Sequence, residues 1–107
     1  MSVSWESWTS DIKSALHNVS DDELLHVARM LRDRRIAITA GNGGSASLAS
    51  HAAQALMKPN YLAGGGLAAV CLTDMIPTFT AHANDGGWEN ALVETGRPFI
   101  GTRAALW

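Results

Sequence analysis

The chain has 107 residues, 47% of them hydrophobic and 17% charged; this length and balance give one globular domain and exclude a disordered segment. Its net charge of −2 argues against a nucleic-acid-binding or anionic-membrane surface. The single cysteine, Cys71, excludes a disulfide framework and reads as a buried core thiol, and no signal peptide or long apolar span is recognisable, so a cytoplasmic protein is expected.

Trp5, Trp8, Ile12, Leu16 and Val19 recur at steps of three and four, the stripe of an amphipathic helix. Two tryptophans so near a terminus suit either a core or, since the segment precedes the βα core, the favoured contact with a second subunit. Ser20-Asp21-Asp22-Glu23 reads as a capping box that starts a second helix, with Leu24, Val27, Ala28 and Leu31 facing inward. That helix ends near Arg34, in a small basic cluster of Arg29, Arg32, Arg34 and Arg35 that complements its C-terminus. His17 and His26 have no metal-ligand spacing.

Ile36 to Ala40 is a short apolar run that stops at glycine, which predicts a buried strand. Gly41-Asn42-Gly43-Gly44-Ser45 follows, and an alanine-rich helix is expected from Ser45 to about Met57, stopped by Lys58-Pro59. A strand, a glycine turn and a helix start make a place where backbone N–H groups and the positive end of a helix dipole meet an anion or a polarised sugar oxygen. Gly41-x-Gly43-x-x-Ala46 also fits a loose dinucleotide fingerprint. Asp74, however, falls 33 positions after Gly41, well past the roughly 20-residue spacing of a ribose-holding acid, which argues against NAD.

A flexible loop is expected over 60–66, then a second buried strand from Leu67 to Leu72. Asp74 is a candidate cap for a helix from about Met75 to Ala83 with Pro77 in its first turn. Asn84-Asp85-Gly86-Gly87 reads as the break after it, and a third short helix is expected from Trp88 to Thr95 with Gly96 just past its end. Trp88 reads as a core or interface aromatic, and Ser47 and Ser50 as helix-surface residues. Arg97 to Gly101 is a connection, and Thr102 to Trp107 resembles the start of a third strand. Helices and short buried strands in alternation give an α/β chain, with a helical region over 1–35 and a β-α-β-α core over 36–107 that is incomplete at its C-terminus.

Gly41-Asn42-Gly43-Gly44-Ser45-Ala46, His51 six residues after the serine, and Ala83-Asn84-Asp85-Gly86-Gly87-Trp88-Glu89 together resemble the sugar isomerase (SIS) family, within it most closely the phosphoheptose isomerases. The resemblance runs to about Ile100 and corresponds to about the first half of a family domain. It implies N-terminal helices followed by a partial SIS-type parallel sheet flanked by helices. It also implies aldose–ketose isomerisation of a sugar phosphate of the sedoheptulose 7-phosphate type. The carried-over substrate-binding positions are Asn42, Gly43, Ser45, Asn84 and Asp85, and the carried-over zinc ligand is His51. Family members commonly form tetramers, so a homo-oligomer, dimer or tetramer, is expected, with neither nucleic acid nor membrane as partner.

The chain departs from the family pattern in three respects. The acidic residue expected four positions after the helix histidine is Ala55, and the neighbouring Gln54 is neutral and lies about 100° from it around the helix. The family's serine- and threonine-rich phosphate loop and its distal glutamine and histidine fall beyond Trp107. A non-catalytic module that binds a sugar phosphate or a protein partner, or an oligomeric structural remnant, are the alternatives to an isomerase.

Overall fold

The computed structural model describes residues 4–58 and 66–100 in full and the backbone of 104–106. The loop expected over 60–66 lies outside the described residues except for Gly66, as do Pro59, Gly101 to Arg103 and Trp107. Contacts divide the chain into two compact units, Met1–Met30 and Leu31–Trp107.

The first unit contains α1, Trp5–His17, and most of α2, Asp21–Arg32. Ser4 caps α1: its hydroxyl accepts from the Ser7 backbone N–H at 3.1 Å while Ser7 Oγ accepts from the Ser4 N–H at 3.3 Å. The capping box read at the start of α2 is present. The Glu23 N–H donates to Ser20 Oγ at 3.2 Å, and the Glu23 carboxylate accepts from the Ser20 N–H at 3.0 Å. The inward face expected for α2 is corrected: Leu24 is 57% exposed, Ala28 is exposed, and only Val27 and Leu31 are partly covered. Neither helix buries a residue, because α1 and α2 barely touch and neither covers the other's apolar stripe.

The second unit is built on three parallel strands, β1 Ile36–Thr39, β2 Ala68–Cys71 and β3 Ala104–Leu106, in the order β2-β1-β3. Thr39 pairs with Cys71 at one end of the β1–β2 register, and Ile38 pairs with Leu106 on the other side. Helix α3, Gly44–Met57, connects β1 to β2 and lies on the sheet through Ala49 and Ala53, which pack with buried Cys71 and with Ala69. Alanine on both sides brings the helix axis close to the strands, so the core is made from small side chains.

Past β2 the chain makes a 3-10 turn, Leu72–Asp74, and then two helices packed on each other, α4 Ile76–Gly86 and α5 Trp88–Gly96, followed by a second 3-10 turn, Arg97–Phe99. Three expectations are corrected here. Asp74 does not cap α4; the N-cap is Met75, with no side-chain bond, and Asp74 faces α3 instead. Asn84 and Asp85 do not interrupt α4 but form part of its last turn, and the stop is Gly87, at φ 89° and ψ 152°. Gly96 ends α5 from inside the helix, buried so closely that a Cβ there would sit 3.1 Å from Leu72 Cδ1. Trp88 is 61% exposed and stands edge-on to Phe79, centroids 5.3 Å apart.

Candidate functional site

The loop between β1 and α3 is shaped by two glycines with different tasks. A Cβ at Gly41 would be driven into the Ser45 carbonyl, so only glycine lets the chain double back this tightly against the start of α3. Gly43 has φ 58° and ψ −128°, a conformation that L side chains rarely adopt, and it serves as the N-cap of α3 without any side-chain bond. Ser45 N–H donates to the Asn42 carbonyl at 3.1 Å and Ala46 N–H to the Gly43 carbonyl at 3.0 Å. The amides of Gly43 and Gly44 take no backbone acceptor among the described residues, and the first turn of α3 carries no acidic side chain. An anion or a sugar oxygen therefore meets donors and a positive dipole end, with no competing charge on the helix.

Asn42, Gly43 and Ser45 are exposed at this turn and the side chains of Asn42 and Ser45 make no hydrogen bond among the described residues. Asn84 and Asp85 are exposed at the far end of α4, and no bond links them to the glycine loop. The structure thus brings three of the five carried-over binding positions together and leaves the other two on a separate helix end.

His51 lies on the exposed side of α3, about two turns beyond the loop at 3.6 residues per turn. It lines an open groove of about 480 Å³ with Ala46, Ser47, Ser50, Gln54 and Asp74. Ser50 Oγ donates to Asp74 Oδ2 at 2.6 Å across this groove, joining α3 to the 72–74 turn. Ser50, read from sequence as plain helix surface, and Asp74, read as a cap, are the residues that sequence reasoning missed. Their contact spans 24 positions and leaves no local pattern to find.

Ala55 lines a different hollow, of about 500 Å³, with Leu48, Ala52 and Leu56 among its walls. The i+4 neighbour of His51 thus faces apolar surroundings, while Gln54 shares the polar groove. Among the described residues no three His, Cys, Asp or Glu side chains come together in a way that holds a metal. The described residues therefore supply fewer than the three or four such ligands that a zinc ion takes. Asp74 and His51 share a groove, but two groups are too few.

A solved structure of phosphoheptose isomerase GmhA from Neisseria gonorrhoeae matches with a TM-score of 0.72 and 25% identity, covering 94% of this chain and 53% of that one. The chain has a phosphoheptose isomerase-like fold. In sequence it is 36% identical over 66 residues to phosphoheptose isomerase 2 of Campylobacter jejuni, which covers 62% of this chain and 33% of that protein. It is also 37% identical over 70 residues to the lincomycin biosynthesis protein LmbN of Streptomyces lincolnensis, covering 64% of this chain and 26% of that protein. No family model matches. The chain spans about a quarter to a third of the length of these two relatives and about half of the solved structure. No described helix is long and apolar enough to cross a membrane.

Proposed function

We propose that this chain is a sugar-phosphate-binding module of the isomerase type, acting in aldose–ketose interconversion of a sugar phosphate such as sedoheptulose 7-phosphate. The observation that carries the reading is the β1–α3 loop, closed by Gly41 against Ser45 and opened by Gly43 at a bare helix start, in a chain with the fold of a phosphoheptose isomerase. In this reading Asn42 and Ser45, with the Gly43 amide, hold the phosphate or a sugar oxygen. Asn84 and Asp85 serve sugar hydroxyls from the α4 end. The exposed Trp5 and Trp8 face of α1 is covered in a homo-oligomer, and the protein works in the cytoplasm.

Isomerisation removes a proton beside a carbonyl and returns it to the neighbouring carbon, and it needs an acid–base pair and donors for the developing oxyanion. The bare amides after β1 suit the donor part. A second reading, a non-catalytic module that binds the sugar phosphate, is favoured by one observation: the acidic position beside His51 is Ala55, on the wall of an apolar hollow.

Solvent deuterium incorporation at C1 of sedoheptulose 7-phosphate, or at C2 of the aldose formed from it, separates the two. The enzyme reading expects label above the protein-free control, lost when Ser45 is replaced by alanine. Binding without label leaves the non-catalytic module. Neither binding nor label in a folded preparation overturns both.

A further inference from the structure

Asn42 and Asp74 occupy matching places just after neighbouring parallel strands. Thr39 and Cys71 are register partners, and Asn42 and Asp74 each lie three residues beyond them. Both therefore stand past the carboxyl ends of adjacent strands, the edge at which open α/β sheets receive ligands. The polar groove begins at Ala46 and Ser47, in the first turn of α3, and runs past Ser50 and His51 to Gln54. It starts where the glycine loop stops.

We propose that this groove holds the hydroxyl-bearing carbon chain of the ligand, with Asp74 as its principal acceptor and Ser50 as the residue that orients Asp74. The assignment rests on the sugar-phosphate reading of the β1–α3 loop and extends it to residues outside that loop. From Ala46, where the groove begins, to Ser50 is about 6 Å along the helix axis at 1.5 Å per residue, a span that a polyhydroxy chain covers and inorganic phosphate does not.

The chemistry of Asp74 suits hydroxyls. An ionised carboxylate only accepts, through about four lone-pair positions. Ser50 occupies one on Oδ2, and Oδ1 has no partner among the described residues. Adjacent hydroxyls donating to a carboxylate make short, charge-assisted bonds of roughly twice the ordinary strength. Ser47, His51 and Gln54 add donors and acceptors along the same wall. A ligand anchored by its phosphate at the glycine loop would thus lay its hydroxyls against Asp74.

A purely structural Ser50–Asp74 tie makes a different forecast from a hydroxyl subsite. Calorimetric titration of the 107-residue chain, Asp74→Asn and Ser50→Ala with sedoheptulose 7-phosphate and with inorganic phosphate decides between them. The subsite expects Asp74→Asn to weaken the sugar phosphate by about tenfold to a hundredfold and to leave inorganic phosphate unchanged, with a smaller selective loss in Ser50→Ala. Equal losses for both ligands, or an unchanged sugar-phosphate affinity, would overturn it. If Asp74→Asn does not fold, Ser50→Ala carries the test alone, read by the ratio of the two affinities. A wild-type chain that takes inorganic phosphate but gains nothing from the sugar overturns the subsite and leaves an anion site in the loop. One that binds neither ligand removes the parent reading as well.

Discussion

Thr39 Oγ1 donates to the Ala49 carbonyl at 2.8 Å inside the core, tying the last residue of β1 to the middle of α3. Thr95, on α5, is equally buried, yet its hydroxyl has no partner among the described residues. The two threonines should answer the same substitution with opposite signs. Thr39→Val is expected to lower stability by about 1 kcal/mol, because a net hydrogen bond is lost. Thr95→Val should be neutral or stabilising, since it removes a buried hydroxyl that bonds to nothing. Urea unfolding of both variants checks the pair, and a loss of similar size in each would show that Thr95 finds a partner in solution.

The glycines of the site loop invite a second contrast. Gly41→Ala forces a Cβ onto the Ser45 carbonyl, and overpacking of this kind costs about 1–3 kcal/mol. Gly44 has open space at its Cβ and lies in the first turn of α3, where alanine is favoured by up to about 1 kcal/mol. Thermal unfolding should therefore drop for Gly41→Ala and hold or rise for Gly44→Ala. Identical shifts would mean that the loop is not closed as described.

The capping box on α2 gives a pH signature. The Ser20 backbone N–H, and after it the Ser20 hydroxyl, hold the Glu23 carboxyl below its ordinary value of 4.5. Because the folded value is the depressed one, the stabilisation is present above the unfolded pKa and is lost as pH falls through the folded value. Ser20→Ala keeps the backbone donor and removes the hydroxyl, so the Glu23 titration, followed by carboxyl carbon NMR, should move part of the way back up. No movement would leave the hydroxyl without a role.

Metal addition and removal should be silent. With no set of three ligands among the described residues, neither zinc nor EDTA is expected to shift the unfolding midpoint. A ligand that binds only the native state would raise it. A zinc-dependent rise that disappears in His51→Ala would contradict this.

The proposed homo-oligomer rests on the outer face of α1, where Trp5 is 77% and Trp8 52% exposed and the rings meet edge-on at 5.6 Å. Replacing both with serine should lower the sedimenting mass at a fixed concentration. An unchanged mass would place any subunit contact elsewhere.

How much of this could be read from the chain depends on the range of the interaction. The strand-glycine-helix unit was legible because its cause is local: an apolar run cannot pass a glycine turn without changing direction, and Ile36–Thr39 followed by Gly44–Met57 is the result. The Ser20–Glu23 box was legible for the same reason. Asn84 and Asp85 misled, since both favour turns in isolation, whereas helical bonding carries α4 through them to Gly86 and lets Gly87 end it. At the site, Asn42, Gly43 and Ser45 were readable as neighbours. The Ser50–Asp74 contact joins segments that meet only because β1 and β2 pair in register. The division of α3 into a polar side with Gln54 and an apolar side with Ala55 likewise depends on what the rest of the unit presents to each face.

β1 is bonded on both flanks, to β2 over four residue pairs and to β3 over three. Its backbone amides should therefore exchange with solvent last in the sheet, after those of the two outer strands have opened. The glycine loop is rooted in that strand, so its footing survives while the margins of the sheet breathe. Whatever the loop grips is held by the strand of the described sheet that is bonded on both sides, and the groove beyond it, walled by Asp74 after β2, is the part left to adjust.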